Sequence, residues 1–242
     1  MYSEELAKAG LLNVLGGQSY NFRMQSVGEQ IVTEVNRLMA VLPEAPEHLY
    51  SMTQTHSNHI AYCDGESGDA YLFGRHFPDT DALITDRTGI ALLVKFADCT
   101  PVILYDPQKQ VQGVAHSGWR GTAQKISLSM LEQMIANFAV RPEDVLAYIG
   151  PSIDQANYEV GTEIYEAFAG IADRERFIIQ GRSAGKYQLD MALANEALLL
   201  DYGLKPEQIL RADVSTYEAK ELHSARREGR DYGLNAMLTM MV

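Results

Sequence analysis

Cysteine is scarce here, with two in 242 residues. Two thiols cannot build a disulfide scaffold, which points to a reducing, cytoplasmic location. Positive charge is also short. Twenty Lys and Arg stand against 32 Asp and Glu, for a net charge of −12. Such a chain repels polymeric phosphate unless it gathers a local basic stripe, so duplex nucleic acid is excluded as the main partner. Long apolar runs are missing. Ile90 to Val94 is among the longest and is far too short to cross a bilayer, so no membrane partner is expected. The opening Met-Tyr-Ser-Glu-Glu-Leu-Ala-Lys has no basic stretch followed by an apolar one, so no signal peptide is expected. The eight prolines are scattered, with no repeat and no Pro/Gly-rich linker, which favours one continuous domain over residues 1–242. The phosphate-binding Walker A sequence, G-x-G-x-x-G and the G-x-S-x-G elbow are absent. So is the H-x-E and P-C-x-x-C pair of common zinc deaminases.

What is present is ordinary globular material. Apolar residues make up 46%, enough for a substantial core and too many for a disordered chain. Residues 27–42 predict an amphipathic helix on Val27, Ile31, Val35, Leu38, Met39 and Leu42, stopped by Pro43. Residues 122–138 predict another, with Thr122 as N-cap. A third follows Asp190 and ends at Gly203, and a short one lies near Glu163–Phe168. Strands are expected at Ile90–Phe96, Val102–Tyr105 and Val111–Ala115, where residues are apolar and often β-branched. Others are expected at Leu49–Thr53, Ala82–Thr85, Val145–Ile149, Phe177–Gln180 and Leu234–Met240. Strands in runs with helices between them read as a mixed-sheet α+β fold. If the strands at 90–96, 102–105 and 111–115 form a meander, Cys99 and His116 fall on one sheet edge.

Three segments can carry chemistry: Gln54-Thr55-His56-Ser57, Ala97-Asp98-Cys99-Thr100-Pro101 and Ala115-His116-Ser117-Gly118-Trp119-Arg120-Gly121. Each puts one His or Cys just past a predicted strand, where loops on a rigid scaffold commonly build sites. His56, Cys99 and His116 would make a three-ligand, catalytic-type zinc site with one position left for water. Zinc lowers the pKa of such water from ~15.7 to ~7. Three other readings stand beside it. Cys99 can be a small core residue. His56, His59 and Cys63 form a rival local cluster. Cys99 can also be a nucleophile activated by His116, as in a Cys–His hydrolase acting on an amide bond. His48 and His76 lack evident partners and read as surface residues. Residues 220–230 gather four basic side chains, and Arg226, Arg227 and Arg230 suit a phosphate or carboxylate. A solvated, internally paired loop explains them equally. Arg120 beside Trp119 offers a second anion or stacking contact.

The three segments together resemble the YfiH/LACC1 family, once labelled multicopper polyphenol oxidoreductases (laccases) and later purine nucleoside phosphorylases. Asn36-Arg37, Leu83-Ile84-Thr85, Gly150-Pro151-Ser152-Ile153, Tyr158-Glu159-Val160-Gly161 and Ser224-Ala225-Arg226-Arg227 extend the resemblance in order along nearly the whole chain. It implies that His56, Cys99 and His116 are metal ligands, with Zn2+ the expected cofactor and Cu2+ the alternative. It implies an α+β domain with a β-sandwich-like core flanked by helices. The implied activities are phosphorolysis of adenosine, inosine and S-methyl-5′-thioadenosine, and deamination of adenosine. The implied partners are purine nucleosides and phosphate, bound by a monomer or homodimer. Arg120, Arg226 or Arg227 would hold phosphate, and the base would stack on Trp119 or Tyr71. The chain departs from the family's pattern at Ser152 and Ser215, where many members have cysteine, at Ala225 before the Arg pair, and at Gly233-Leu234. Six histidines are too few for a multicopper oxidase, which needs about ten. Weak phenol oxidation on a single copper is the remaining oxidase reading.

Overall fold

The computed structural model describes residues 2–242. Two six-stranded sheets face each other. The first runs, in spatial order, Leu11–Gly16, Asn235–Met241, Ile90–Phe96, His48–Met52, Gly74–Phe77 and Asp69–Tyr71. The second runs Ile209–Arg211, Leu146–Ile149, Thr100–Asp106, Val111–Ser117, Ala82–Thr85 and Ile60–Tyr62. Both sheets mix parallel and antiparallel pairs. A smaller three-stranded sheet joins Glu159–Gly161, Lys186–Leu189 and Ile178–Gln180.

Alternation along the strands explains the layers. From Ile90–Phe96, the side chains of Leu92, Val94 and Phe96 enter the core between the sheets, against Leu83, Ile103 and Val114. Ala91 and Leu93 point the other way, toward Ile31, Val35 and Leu38 of the helix Ile31–Met39. On the far side, Ile84, Val102 and Leu104 pack beneath Met130, Leu131 and Met134 of the helix Ile126–Phe138. This is the expected α+β architecture, a β-sandwich flanked by helices.

Three expectations change. The strands at 90–96, 102–105 and 111–115 do not form a meander. Ile90–Phe96 belongs to the first sheet, between Asn235–Met241 and His48–Met52, while the other two form a hairpin in the second. Cys99 and His116 still meet, because Thr100 pairs with Ser117 and Pro101 with His116 across that hairpin. The helix over 27–42 breaks at Gly28, whose φ of 56° lies in the left-handed region, so regular helix runs only over Ile31–Met39. The helix over 122–138 divides likewise into Trp119–Ala123 and Ile126–Phe138, with Lys125 left-handed at φ 60°. Thr122 is therefore no N-cap. Its hydroxyl bonds the Gly118 carbonyl and Ser117 Oγ. The helix after Asp190 forms over Met191–Tyr202, with the Asp190 carboxylate accepting from Leu193 N and Gly203 closing it.

Candidate metal centre

The ligating atoms of His56, Cys99 and His116 all lie within 4.8 Å of one another. No other group of three or more His, Cys, Asp or Glu among the described residues meets that test. His56 comes from the loop after His48–Met52, Cys99 from the crossing between the sheets, and His116 from inside Val111–Ser117. The triad therefore straddles the sandwich at its rim. Cys99 Sγ is 3.7 Å from His56 Nε2, and the two imidazoles meet edge to face at 4.9 Å.

Asp81, just before Ala82–Thr85, organises the triad. Its Oδ1 accepts from His116 Nδ1 at 2.8 Å and from His56 N at 3.1 Å. Its Oδ2 accepts from Thr55 N, Ser57 N and Ser57 Oγ at 3.0, 2.7 and 2.8 Å. One fully buried carboxylate thus holds the His56 loop and fixes the His116 ring with Nε2 free for a ligand. Burial works to raise the Asp81 pKa, but the hydrogen bonds from His116 and Ser57 overcome it and hold the carboxyl far below its usual range. His56 adopts φ 63°, a left-handed conformation, and three donors around it converge on that carboxylate.

Cys99 is predisposed to ionise. Burial raises its pKa, but the charge on His116 and hydrogen bonds from both histidines outweigh it and bring the thiol down to about 6. The partner shift is upward: burial opposes a charged His116, while the Cys99 thiolate and Asp81 stabilise it, raising it to about 9. The two shifts favour a thiolate beside a charged His116, with His56 Nε2 3.7 Å from the sulfur. Gly118 makes room for this. A Cβ there would lie 2.5 Å from His56 Cδ2 and 3.1 Å from Cys99 Sγ.

The donors suit a borderline divalent ion: two imidazole nitrogens, one thiolate and an orienting carboxylate behind one histidine. The triad opens onto a cavity of about 480 Å3, walled also by Gln54, Tyr71, His76, Lys95, Phe96 and Tyr232. That volume lies in the range of small-molecule sites. Tyr71 stacks on His76 at 4.5 Å in this wall. His76, expected at the surface, is buried, and its two ring nitrogens bond Ser51 and Thr53. The rival cluster does not assemble. Cys63 is fully buried, with its thiol pushed up by burial, and His59 bonds Asp79 at the surface.

The expected anion ligands divide. Trp119 and Arg120 start the short helix Trp119–Ala123, with the guanidinium 4.3 Å above the indole. Arg226 is exposed, 5.3 Å above the ring of Tyr158, and bonds the carbonyls of Asn157 and Glu159. Burial pushes the Tyr158 hydroxyl pKa up; the charges of Cys99 and Asp98 add to the rise, and those of Arg226 and Arg120 oppose it. Arg227 is different. Its guanidinium donates to the carbonyls of Thr216, Tyr217, Ala219 and Leu222 and to Glu228 Oε1, so it clamps its own loop instead of facing a ligand. Asp98, with φ 83°, accepts from Thr216 Oγ1 and Arg226 N and ties that loop to the Cys99 segment.

Sequence reasoning missed Asp81 and Lys95, put His76 at the surface, and gave Gly118 no role of its own within its segment. Lys95 had a signal: it is the one charge in Ile90–Phe96, a strand otherwise wholly apolar. Asp81 had none, because its role depends on which loops the fold lays beside it.

Fold and ligand set define a class: a helix-flanked β-sandwich domain with a His2Cys triad on its rim. The chain belongs to the family described as "Multi-copper polyphenol oxidoreductase laccase", which matches residues 17–242, and the YfiH/LACC1 resemblance is thereby confirmed. A purine nucleoside phosphorylase from Bacteroides thetaiotaomicron is 36% identical over 209 residues, covering 83% of this chain and 76% of that protein. Adenosine deaminase RL5, from an unknown prokaryotic organism, is 34% identical over 189 residues, covering 74% and 70%. The crystal structure of the hypothetical protein YfiH from Bacillus licheniformis superposes with a TM-score of 0.90 at 25% identity, covering 99% of this chain and 95% of that one. These relatives support a nucleoside-processing enzyme.

Proposed function

We propose that this chain is a zinc-dependent purine nucleoside enzyme that phosphorolyses adenosine, inosine and S-methyl-5′-thioadenosine and deaminates adenosine. The observation that carries this reading is the convergence of His56, Cys99 and His116 in the wall of a nucleoside-sized cavity. The names of the relatives support the choice of substrate. A zinc ion held by the triad would supply Lewis acidity at a substrate oxygen or nitrogen.

The chain's own residues do the rest. In phosphorolysis a phosphate oxygen bonds to the ribose C1′ as the C1′–N9 bond breaks. The electron pair leaves with the purine, which takes up a proton, giving ribose 1-phosphate and free base. In deamination water adds at the purine C6 and ammonia leaves, giving inosine. Tyr71, held flat by its stacking on His76, offers the base a face inside the cavity. Trp119, Arg120 and Arg226 form a second, outer contact near Cys99 for the remainder of the substrate. Asp81 keeps His116 in one tautomer and orientation throughout.

The test is metal analysis of the purified protein, then incubation with adenosine and phosphate and identification of products. Zinc near one per chain, with adenine, ribose 1-phosphate and inosine produced and lost on chelation, is the expected result. Activity that survives chelation but falls to thiol alkylation would instead make Cys99 a nucleophile in a Cys–His hydrolase. Copper in place of zinc, with phenol oxidation, would restore the oxidase reading. The metal analysis reads that alternative directly.

A further inference from the structure

The cavity beside the triad is charged against the character of the chain. The sequence carries 32 acidic residues and a net charge of −12, yet among the described residues no Asp or Glu lines this cavity. Its wall holds Lys95 and Arg23. Arg23 is occupied: its guanidinium donates to the carbonyls of Arg230 and Tyr232 and lies 4.0 Å above the Tyr232 ring. Among the described residues, the Lys95 ammonium has no such partner. It follows Ala91 and Leu93 on one face of its strand, where that face leaves the apolar core and becomes cavity wall. Its main chain is locked, with Gln54 Nε2 donating to Lys95 O at 2.6 Å and Lys95 N donating to Gln54 Oε1 at 2.9 Å. Gln54 stands two residues before His56, so the same loop that delivers a metal ligand also sets the position of Lys95.

We propose that Lys95 anchors the inorganic phosphate of phosphorolysis, inside the cavity it shares with His56, Cys99 and His116. This rests on the nucleoside-phosphorylase reading above and deepens it. Of the two substrates, the nucleoside is neutral and gains nothing from a cationic wall, whereas phosphate requires one. Of the candidate cations, Arg227 is consumed by its loop, and Arg120 and Arg226 lie over aromatic rings outside this cavity. Burial pulls the Lys95 pKa down, and no carboxylate charge opposes it. A phosphate oxygen at the ammonium supplies the missing counter-charge.

Lys95→Met tests this, with Lys109→Met, in the surface turn before Val111–Ser117, as control. Steady-state phosphorolysis is measured against phosphate and adenosine separately. For Lys95→Met the KM for phosphate rises about tenfold or more, the loss of one hydrogen bond to a charged group, while the KM for adenosine moves less than about threefold. Lys109→Met leaves both unchanged. Metal content and unfolding temperature verify that Lys95→Met is folded and loaded. An unchanged KM for phosphate in Lys95→Met overturns the proposal, as does a larger rise in Arg226→Ala than in Lys95→Met. Calorimetric titration with inorganic phosphate separates the two readings. If the wild-type protein turns over no nucleoside, the phosphorylase reading falls, and the Lys95 site is judged by binding. Heat seen with the wild type and lost in Lys95→Met supports it, and equal heat in both overturns it.

Discussion

Asp81 positions two of the three candidate ligands, His116 and His56. Replacing it by Asn removes the charge and one acceptor site, so His116 loses its fixed tautomer and the His56 loop loses its tether. Asp81→Asn should lower metal affinity on the order of 10–100-fold, measured by competition with a chromophoric chelator. Equal affinity in variant and wild type would show that the triad holds its own geometry. Cys99 makes a second prediction. Its pKa is brought below the ordinary 9.0 to about 6, so in metal-free protein the thiolate fraction rises as pH increases through about 6. The alkylation rate should follow that curve, reaching half its plateau near pH 6 and falling at lower pH as the thiol protonates. Cys63 should stay unmodified in the folded protein, because it is buried and its thiol is pushed up. Mass spectrometry of digests from about pH 5 to about pH 10 checks both, and a half-plateau near the ordinary 9.0 would mean that His116 carries no charge beside Cys99.

At the scale of elements, helices and strands were legible where the pattern was local. Met191–Tyr202 carries its own start and stop in Asp190 and Gly203, and it forms within a residue of expectation. Asp190→Ala removes the cap bond to Leu193 N and should cost about 1 kcal/mol. Thermal unfolding should show it as a drop of roughly 2–4 °C with metal content unchanged. No drop would mean that solvent satisfies the first turn equally well. The helices over 27–42 and 122–138 were right in their apolar faces and wrong in continuity. Each break is a single left-handed residue, Gly28 or Lys125, which a periodicity count passes over. Short strands such as Asp69–Tyr71, Gly74–Phe77 and Ile209–Arg211 gave too few residues for alternation to show. The meander failed for another reason. Three apolar strands close in sequence look alike whether they lie in one sheet or cross between two, because both faces of each are buried here.

At the scale of the molecule, the triad joins the sheets. His56 follows a strand of the first, His116 lies in the second, and Cys99 sits on the crossing between them. An ion held by the triad would tie the rim of the sandwich and favour the folded chain, where the three groups converge. At a free metal concentration about a hundred times Kd, it should add about 2.7 kcal/mol to unfolding stability. For a chain of this size that is roughly 5–10 °C in Tm, reversed by chelation and absent in His116→Ala. A Tm indifferent to metal would exclude specific binding at the triad. The same scale explains the charge pattern. The acidic residues lie outside the cavity wall, so a chain of −12 presents a wall without carboxylates to its substrate.

The sequence by itself determined the family and the fold class, and its resemblance named His56, Cys99 and His116 as candidate ligands. Two cysteines and six histidines leave material for one open His2Cys centre and fall short of the roughly ten histidines a multicopper oxidase needs. Those conclusions follow from composition and local motif, which do not depend on how the chain is laid out in space. Only the tertiary structure decided which groups serve the ligands and the cavity. It brought Asp81 beneath His116, buried His76 against Tyr71, turned Arg227 onto its own loop and left Lys95 unpaired in the cavity wall. Each of these is a contact between residues far apart in the chain. Its energy comes from burial and from the partner the fold supplies, and neither is written in the spacing of residues along the sequence.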